Sequence, residues 1–209
     1  MMDFRTAWTK MWPRLGLIES PACLDTLLAR YSEPHRHYHT LQHLEECLVL
    51  FWEVEALAEH AAEVEIALWF HDAIYEPLRQ DNEQRSADWA RETLLAAGAE
   101  RQVAERVYGL IMATRHTAEP RGQDAQLLID IDLAILAAKP ARFDEYEEQI
   151  RAEYRHVPEL LFRSKRRSVL EKFLERPHIY STQPLRERFE AVARDNLAKA
   201  IDCGRQYLY

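Results

Sequence analysis

Residues 61–75 read Ala-Ala-Glu-Val-Glu-Ile-Ala-Leu-Trp-Phe-His-Asp-Ala-Ile-Tyr. Val64, Ala67, Leu68, His71 and Tyr75 recur at 3- and 4-residue steps, so the spacing predicts a helix rather than a strand. His71 and Asp72 stand at the end of that apolar stripe. Two ionisable neighbours there need a partner, because burying a polar group unsatisfied is costly. A backbone carbonyl can satisfy a histidine. A metal cation would satisfy both residues, since neutral imidazole and carboxylate are good ligands for first-row divalent ions.

Working outward, the helical pattern continues on both sides. Residues 3–18 place Phe4, Ala7, Trp8, Met11 and Trp12 on one stripe, with Pro13 disturbing its end. Ser20-Pro21 opens a second helix whose inward face carries Leu24, Leu27 and Leu28. Residues 31–39 form a polar break, and Thr40 caps a helix running to about Leu57 through Leu44, Leu48 and Phe51. The helix holding His71-Asp72 ends near Pro77. Asp81 or Asn82 caps the next, from about Glu83 to Ala97, which Gly98 stops. Further helices are expected over 100–113, 125–138, 142–155, 158–175 and 184–203, with a loop at 114–124. No alternating strand pattern, internal repeat or low-complexity linker interrupts them. The expectation is one all-α domain over residues 1–209.

The composition agrees with an ordinary globular chain: 209 residues, 47% hydrophobic and 30% charged. Only 5 glycines are present, and neither a GxxxxGK[ST] loop nor a GxGxxG turn occurs. A formal charge of -8 disfavours a nucleic-acid polymer as partner. It counts less against a small phosphorylated ligand, because one bound cation inverts the local field. Cys23, Cys47 and Cys203 lie far apart without CxxC spacing, which reads as reduced, core-type cysteines and a cytoplasmic setting. The N-terminus lacks a secretory pattern, and no apolar run nears the roughly 18 residues of a membrane span.

Two further stretches join His71-Asp72. In Tyr38-His39-Thr40-Leu41-Gln42-His43 the two histidines are four apart and share a helix face, His43 pointing inward and His39 at the helix mouth. In Leu127-Leu128-Ile129-Asp130-Ile131-Asp132-Leu133 the two aspartates point nearly opposite ways. Asp132 shares its face with Leu128, Ile129, Ile135 and Leu136, whereas Asp130 shares a more mixed one. Asp132 is therefore the first choice of ligand and Asp130 the second. A divalent cation would relieve the repulsion of carboxylates gathered in a low-dielectric core.

The order His43, His71-Asp72, Asp132, all on helices, resembles the HD-domain superfamily of metal-dependent phosphohydrolases. Tyr-His-Thr-x-x-His, Trp-Phe-His-Asp-Ala-x-Tyr, Asn-Glu-x-x-Ser-Ala (82–87), Asp-Ile-Asp-Leu (130–133) and Ala-Arg-x-Asn (193–196) resemble a predicted phosphohydrolase group within it. The likeness spans roughly residues 31–200. It implies a single HD-type helical bundle with a core of about 31–140, on which helices 141–209 pack. It implies one divalent ion (Mn, Fe, Co, Ni, Zn or Mg) held by His43, His71, Asp72 and Asp132. It also implies hydrolysis of a phosphate ester or anhydride of a small molecule, a nucleotide being the leading class. His39 is similar in placement to a histidine that protonates leaving groups, and an imidazole pKa near 6.5 suits that role. Asp72 and Glu83 are expected in the catalytic group, and Arg36, Asn82 and His116 at the substrate. Related two-metal enzymes carry extra histidines near His116, and only one is present here. A non-catalytic metal- or nucleotide-sensing module is the alternative, a helical scaffold for protein partners is a third, and homo-oligomerisation is left open.

Overall fold

The computed structural model describes residues 2–19 and 21–205. Their order is α1 (Phe4–Met11), α2 (Pro21–Tyr31), α3 (Leu41–Val54), α4 (Ala61–Phe70), α5 (Asn82–Ala96), α6 (Arg101–Ala113), α7 (Gln123–Asp132), α8 (Pro140–Glu153), α9 (Glu159–Glu175) and α10 (Gln183–Arg205). Short 3-10 segments occupy Trp12–Leu15, Glu55–Leu57 and Leu133–Ala137. No strand occurs among the described residues, and the protein is all-α. None of the described helices is long and apolar enough to cross a membrane. The expected Ser20 helix start and the Cys203 side chain lie outside the described residues.

Two compact units divide the chain, residues 1–131 and 132–209. Asp132 is the last residue of α7. In the first unit α4 is the central element, and every residue from Glu63 to Phe70 is buried. A helix enclosed on all sides carries no polar face, which is why its stripe of apolar residues blurs into a continuous run. α3, α5 and α6 pack around it, and α1 lies across it through aromatic rings. The Trp8 and Trp69 ring centroids are 5.1 Å apart at 78°, Phe4 and Trp69 5.9 Å apart at 73°, both edge-to-face. Such pairs add to the burial of the large rings themselves.

Helix ends follow local chemistry. Thr40 caps α3 by accepting the Gln42 N–H at its hydroxyl, 3.3 Å away. Pro13 lacks an N–H, and α1 gives way to a 3-10 turn from Trp12, shorter than the expected run to residue 18. Asp81 occupies the N-cap of α5 without capping it, because its carboxylate pairs with Arg79 at 2.7 Å. Gly98 takes φ +90° after α5, and its N–H and that of Ala99 close on Leu95 O and Leu94 O.

The second unit packs α10 against α9 and against the Leu133–Ala137 segment. The Asn196 amide donates to Leu136 O and Ala138 O, both at 2.9 Å, and the Tyr180 hydroxyl donates to Leu133 O at 3.0 Å. The basic run Arg163–Arg167 is partnered, with Arg163 on Glu159, Arg166 on Glu147 and Arg167 on Glu171.

Candidate metal centre

α4 stops at Phe70, five residues before Tyr75, where the apolar spacing placed it. Its last three carbonyls are claimed by donors other than the N–H of a continuing α-helix. His71 Nδ1 donates to Leu68 O at 2.7 Å, the Tyr31 hydroxyl donates to Trp69 O at 3.2 Å, and Ala73 N–H donates to Phe70 O at 2.9 Å. Orphan carbonyls at a helix end need such partners. The chain then turns through His71-Asp72-Ala73, and Ser86 on α5 receives the Ile74 N–H at 2.9 Å. The break turns both ionisable side chains toward α3.

There they meet His43, on the first turn of α3. His43 Nε2 and His71 Nε2 are 3.1 Å apart. Asp72 Oδ2 is 3.1 Å from His71 Nε2 and 3.5 Å from His43 Nε2. The same three atoms thus form one small triangle. For metal–ligand bonds of about 2.1 Å, ligand atoms on one ion are separated by about 3.0 Å in an octahedron and about 3.4 Å in a tetrahedron. The observed edges lie within about 0.1 Å of one or the other separation, and the donors fit a first-row divalent ion. Because a carbonyl only accepts, the bond to Leu68 O puts a proton on His71 Nδ1. In the neutral ring Nε2 is then a lone pair aimed at the triangle.

Asp132, at the end of α7, is grouped with the two histidines in a set that does not include Asp72. Single ligand atoms of His43, Cys47, His71 and Asp132 all lie within 4.8 Å of one another. Asp130 is the more deeply buried of the two aspartates, fully enclosed where Asp132 is half-buried, yet the grouped carboxylate is that of Asp132. Cys47 is the member that sequence reasoning passed over as core; its place one turn after His43 was the available signal. Its sulfur is 3.7 Å from both His43 nitrogens. Equidistance puts it off the Nε2 lone-pair axis, so in this geometry the thiol neighbours the triangle without sharing its focus.

The electrostatics suit a charged carboxylate. Burial alone raises the Asp72 carboxyl, but the imidazoles of His71, His39 and His43 outweigh it and hold the group well below the usual carboxylate range. His43 Nδ1 faces the buried Tyr38 hydroxyl at 3.0 Å, the position of a partner that orients a ligating ring. Tyr38→Phe is therefore expected to weaken Mn2+ binding about tenfold without unfolding the protein. Titration calorimetry checks this, and unchanged affinity would remove Tyr38 from the site.

The remaining expected site residues fall in different places. His39 is half-buried and stacks on Tyr75 with ring centroids 4.0 Å apart, its ring 6.2 Å from that of His43. Arg36, expected at the substrate, is buried and bonds to backbone carbonyls instead. Asn82, also expected there, uses its amide to close a loop, accepting the Glu76 N–H at 3.1 Å and donating to Glu76 O at 2.9 Å. Glu83 is half-buried at the second position of α5, and His116 adopts φ 52° after α6. Neither is among the grouped ligand atoms. A second grouping, Glu59, His60 and Asp124, is largely exposed, and Asp124 there caps the chain by accepting Glu59 N–H, His60 N–H and His60 Nδ1.

Comparison with protein-family models, with curated proteins and with solved structures finds no significant match.

Proposed function

We propose that this protein is a metal-dependent phosphohydrolase of the HD type, acting on a phosphate ester or anhydride of a small molecule, with nucleotides the leading class. The observation that supports it most is the triangle of His43 Nε2, His71 Nε2 and Asp72 Oδ2, with edges of 3.1, 3.1 and 3.5 Å. These residues, with Asp132, would hold one divalent cation. Such an ion, when bound, lowers the pKa of coordinated water towards about 7 and polarises phosphoryl oxygens.

The chain's own residues supply the rest. Asp72 stays ionised, its carboxyl held well below the usual range by the neighbouring imidazoles, so it balances cationic charge and accepts a hydrogen bond from water. His39 stands at the mouth of α3, braced by the face of Tyr75 and the edge of Tyr38 at 4.9 Å. From there it hands a proton to the departing oxygen, the work for which an imidazole near neutrality is suited. Leu68 O and the Tyr38 hydroxyl hold the two ligating rings in orientation.

The test is a hydrolysis screen of nucleoside mono-, di- and triphosphates and cyclic nucleotides with Mg2+, Mn2+, Co2+, Ni2+ and Zn2+ in turn, beside an Asp72→Ala control. Phosphate release that depends on the ion and vanishes in the control is expected. Equal release in both proteins would overturn the proposal.

A further inference from the structure

We propose that Arg36 is a positioning residue whose buried guanidinium holds the His39 segment and the Asp72–Ala73 turn in the register that brings His43, His71 and Asp72 together. The inference rests on the metal-site reading and adds to it the device that assembles the site.

Arg36 lies in the loop between α2 and α3, and its side chain is wholly enclosed. Nη1 donates to Asp72 O at 2.7 Å and to His39 O at 3.1 Å, and Nη2 donates to Ala73 O at 3.1 Å. Nε donates to Glu33 Oε2 at 3.2 Å. The guanidinium carbon stands 5.2 Å from the Tyr31 ring centroid and 5.6 Å from that of Tyr75. One planar cation therefore joins two separate chain segments: Nη1 alone spans Asp72, the residue after His71, and His39, the residue before Thr40, the cap of α3.

The location explains the residue type. The end of α4 presents the negative pole of the helix dipole, and the Asp72 carboxylate adds a full charge close by. A buried cation in their midst offsets both. The carbonyls of Asp72 and Ala73 follow a helix end and have no ladder to join, so donors must come from elsewhere. Only a fork of five N–H groups in fixed geometry reaches three carbonyls and a carboxylate at once. A lysine ammonium has three donors around a single point. Since ligand atoms must converge to within a few tenths of an ångström, a loosened turn costs metal affinity before it costs the fold.

Arg36→Lys is the direct test, read by Mn2+ affinity in titration calorimetry, by the visible d–d spectrum of the Co2+-loaded protein, and by metal-free thermal unfolding. Affinity is expected to fall at least tenfold, with a changed Co2+ spectrum and a helical circular-dichroism signal equal to wild type. Glu33→Gln is the second variant, for use if Arg36→Lys does not fold. It leaves the three carbonyl bonds in place while removing the anion that fixes Nε, and a smaller loss, about threefold, with the same direction of spectral change is expected. Wild-type affinity and spectrum in whichever variant folds would overturn the assignment. Wild-type protein that binds no divalent ion would overturn the metal-site reading and this inference with it, an outcome separate from a bound site indifferent to Arg36.

Discussion

His71→Ala and Asp72→Ala are each expected to weaken Mn2+ or Zn2+ binding by more than about 100-fold and to abolish ion-dependent hydrolysis. Loss of a group that only orients a ligand costs about 10- to 100-fold in affinity, and these two residues present the ligand atoms themselves. Asp72 contributes the charge as well as an oxygen: with it gone, two neutral imidazoles 3.1 Å apart remain and share a proton instead. The apo fold should persist in Asp72→Ala, because the turn is held by backbone bonds to Arg36, Ser86 and Tyr31 and not by the carboxylate. Calorimetry for the ion and circular dichroism for the fold separate the two effects. Full binding by Asp72→Ala would place the ion elsewhere.

The largest effect on stability is expected at Trp69, for a different reason. Its indole is fully buried on α4, where the rings of Trp8 and Phe4 pack edge-on against it. Truncating a core tryptophan removes its transfer energy and leaves a cavity that neighbours on separate helices cannot close, about 3–5 kcal/mol. For a chain of this size Trp69→Ala should lower Tm by roughly 6–20 °C. Leu78→Ala is the contrasting control, since Leu78 is 75% exposed and its loss should move stability by under about 0.5 kcal/mol. Equal shifts in thermal unfolding would mean that α1 and α4 do not pack as described.

Much of the helical order was legible because turn and cap chemistry is local. Thr40 capping α3 and Gly98 after α5 each act within a turn of their own position. The end of α4 was not legible. Ala61–Tyr75 keeps an apolar spacing to its end, and the bonds at the stop after Phe70 include one from Tyr31, 38 residues away, beside those from His71 and Ala73. The packing of Arg36 was not legible for a like reason: in sequence it is a cation among histidines, whereas two of its partners are carbonyls 36 and 37 residues on. The meeting of His43, His71 and Asp72 could be anticipated from residue types that are costly to bury alone. Between Asp130 and Asp132, face composition was a poor guide to depth, since Asp130 is the one fully enclosed.

The most direct measurement is anomalous diffraction from crystals soaked with Mn2+ or Co2+, recorded at the absorption edge of the ion. A single strong peak within bonding distance of His43 Nε2, His71 Nε2 and Asp72 Oδ2 is the predicted result. A map with no peak there, the two imidazoles instead hydrogen-bonded to each other under saturating ion, would contradict the metal centre on which the proposed chemistry depends.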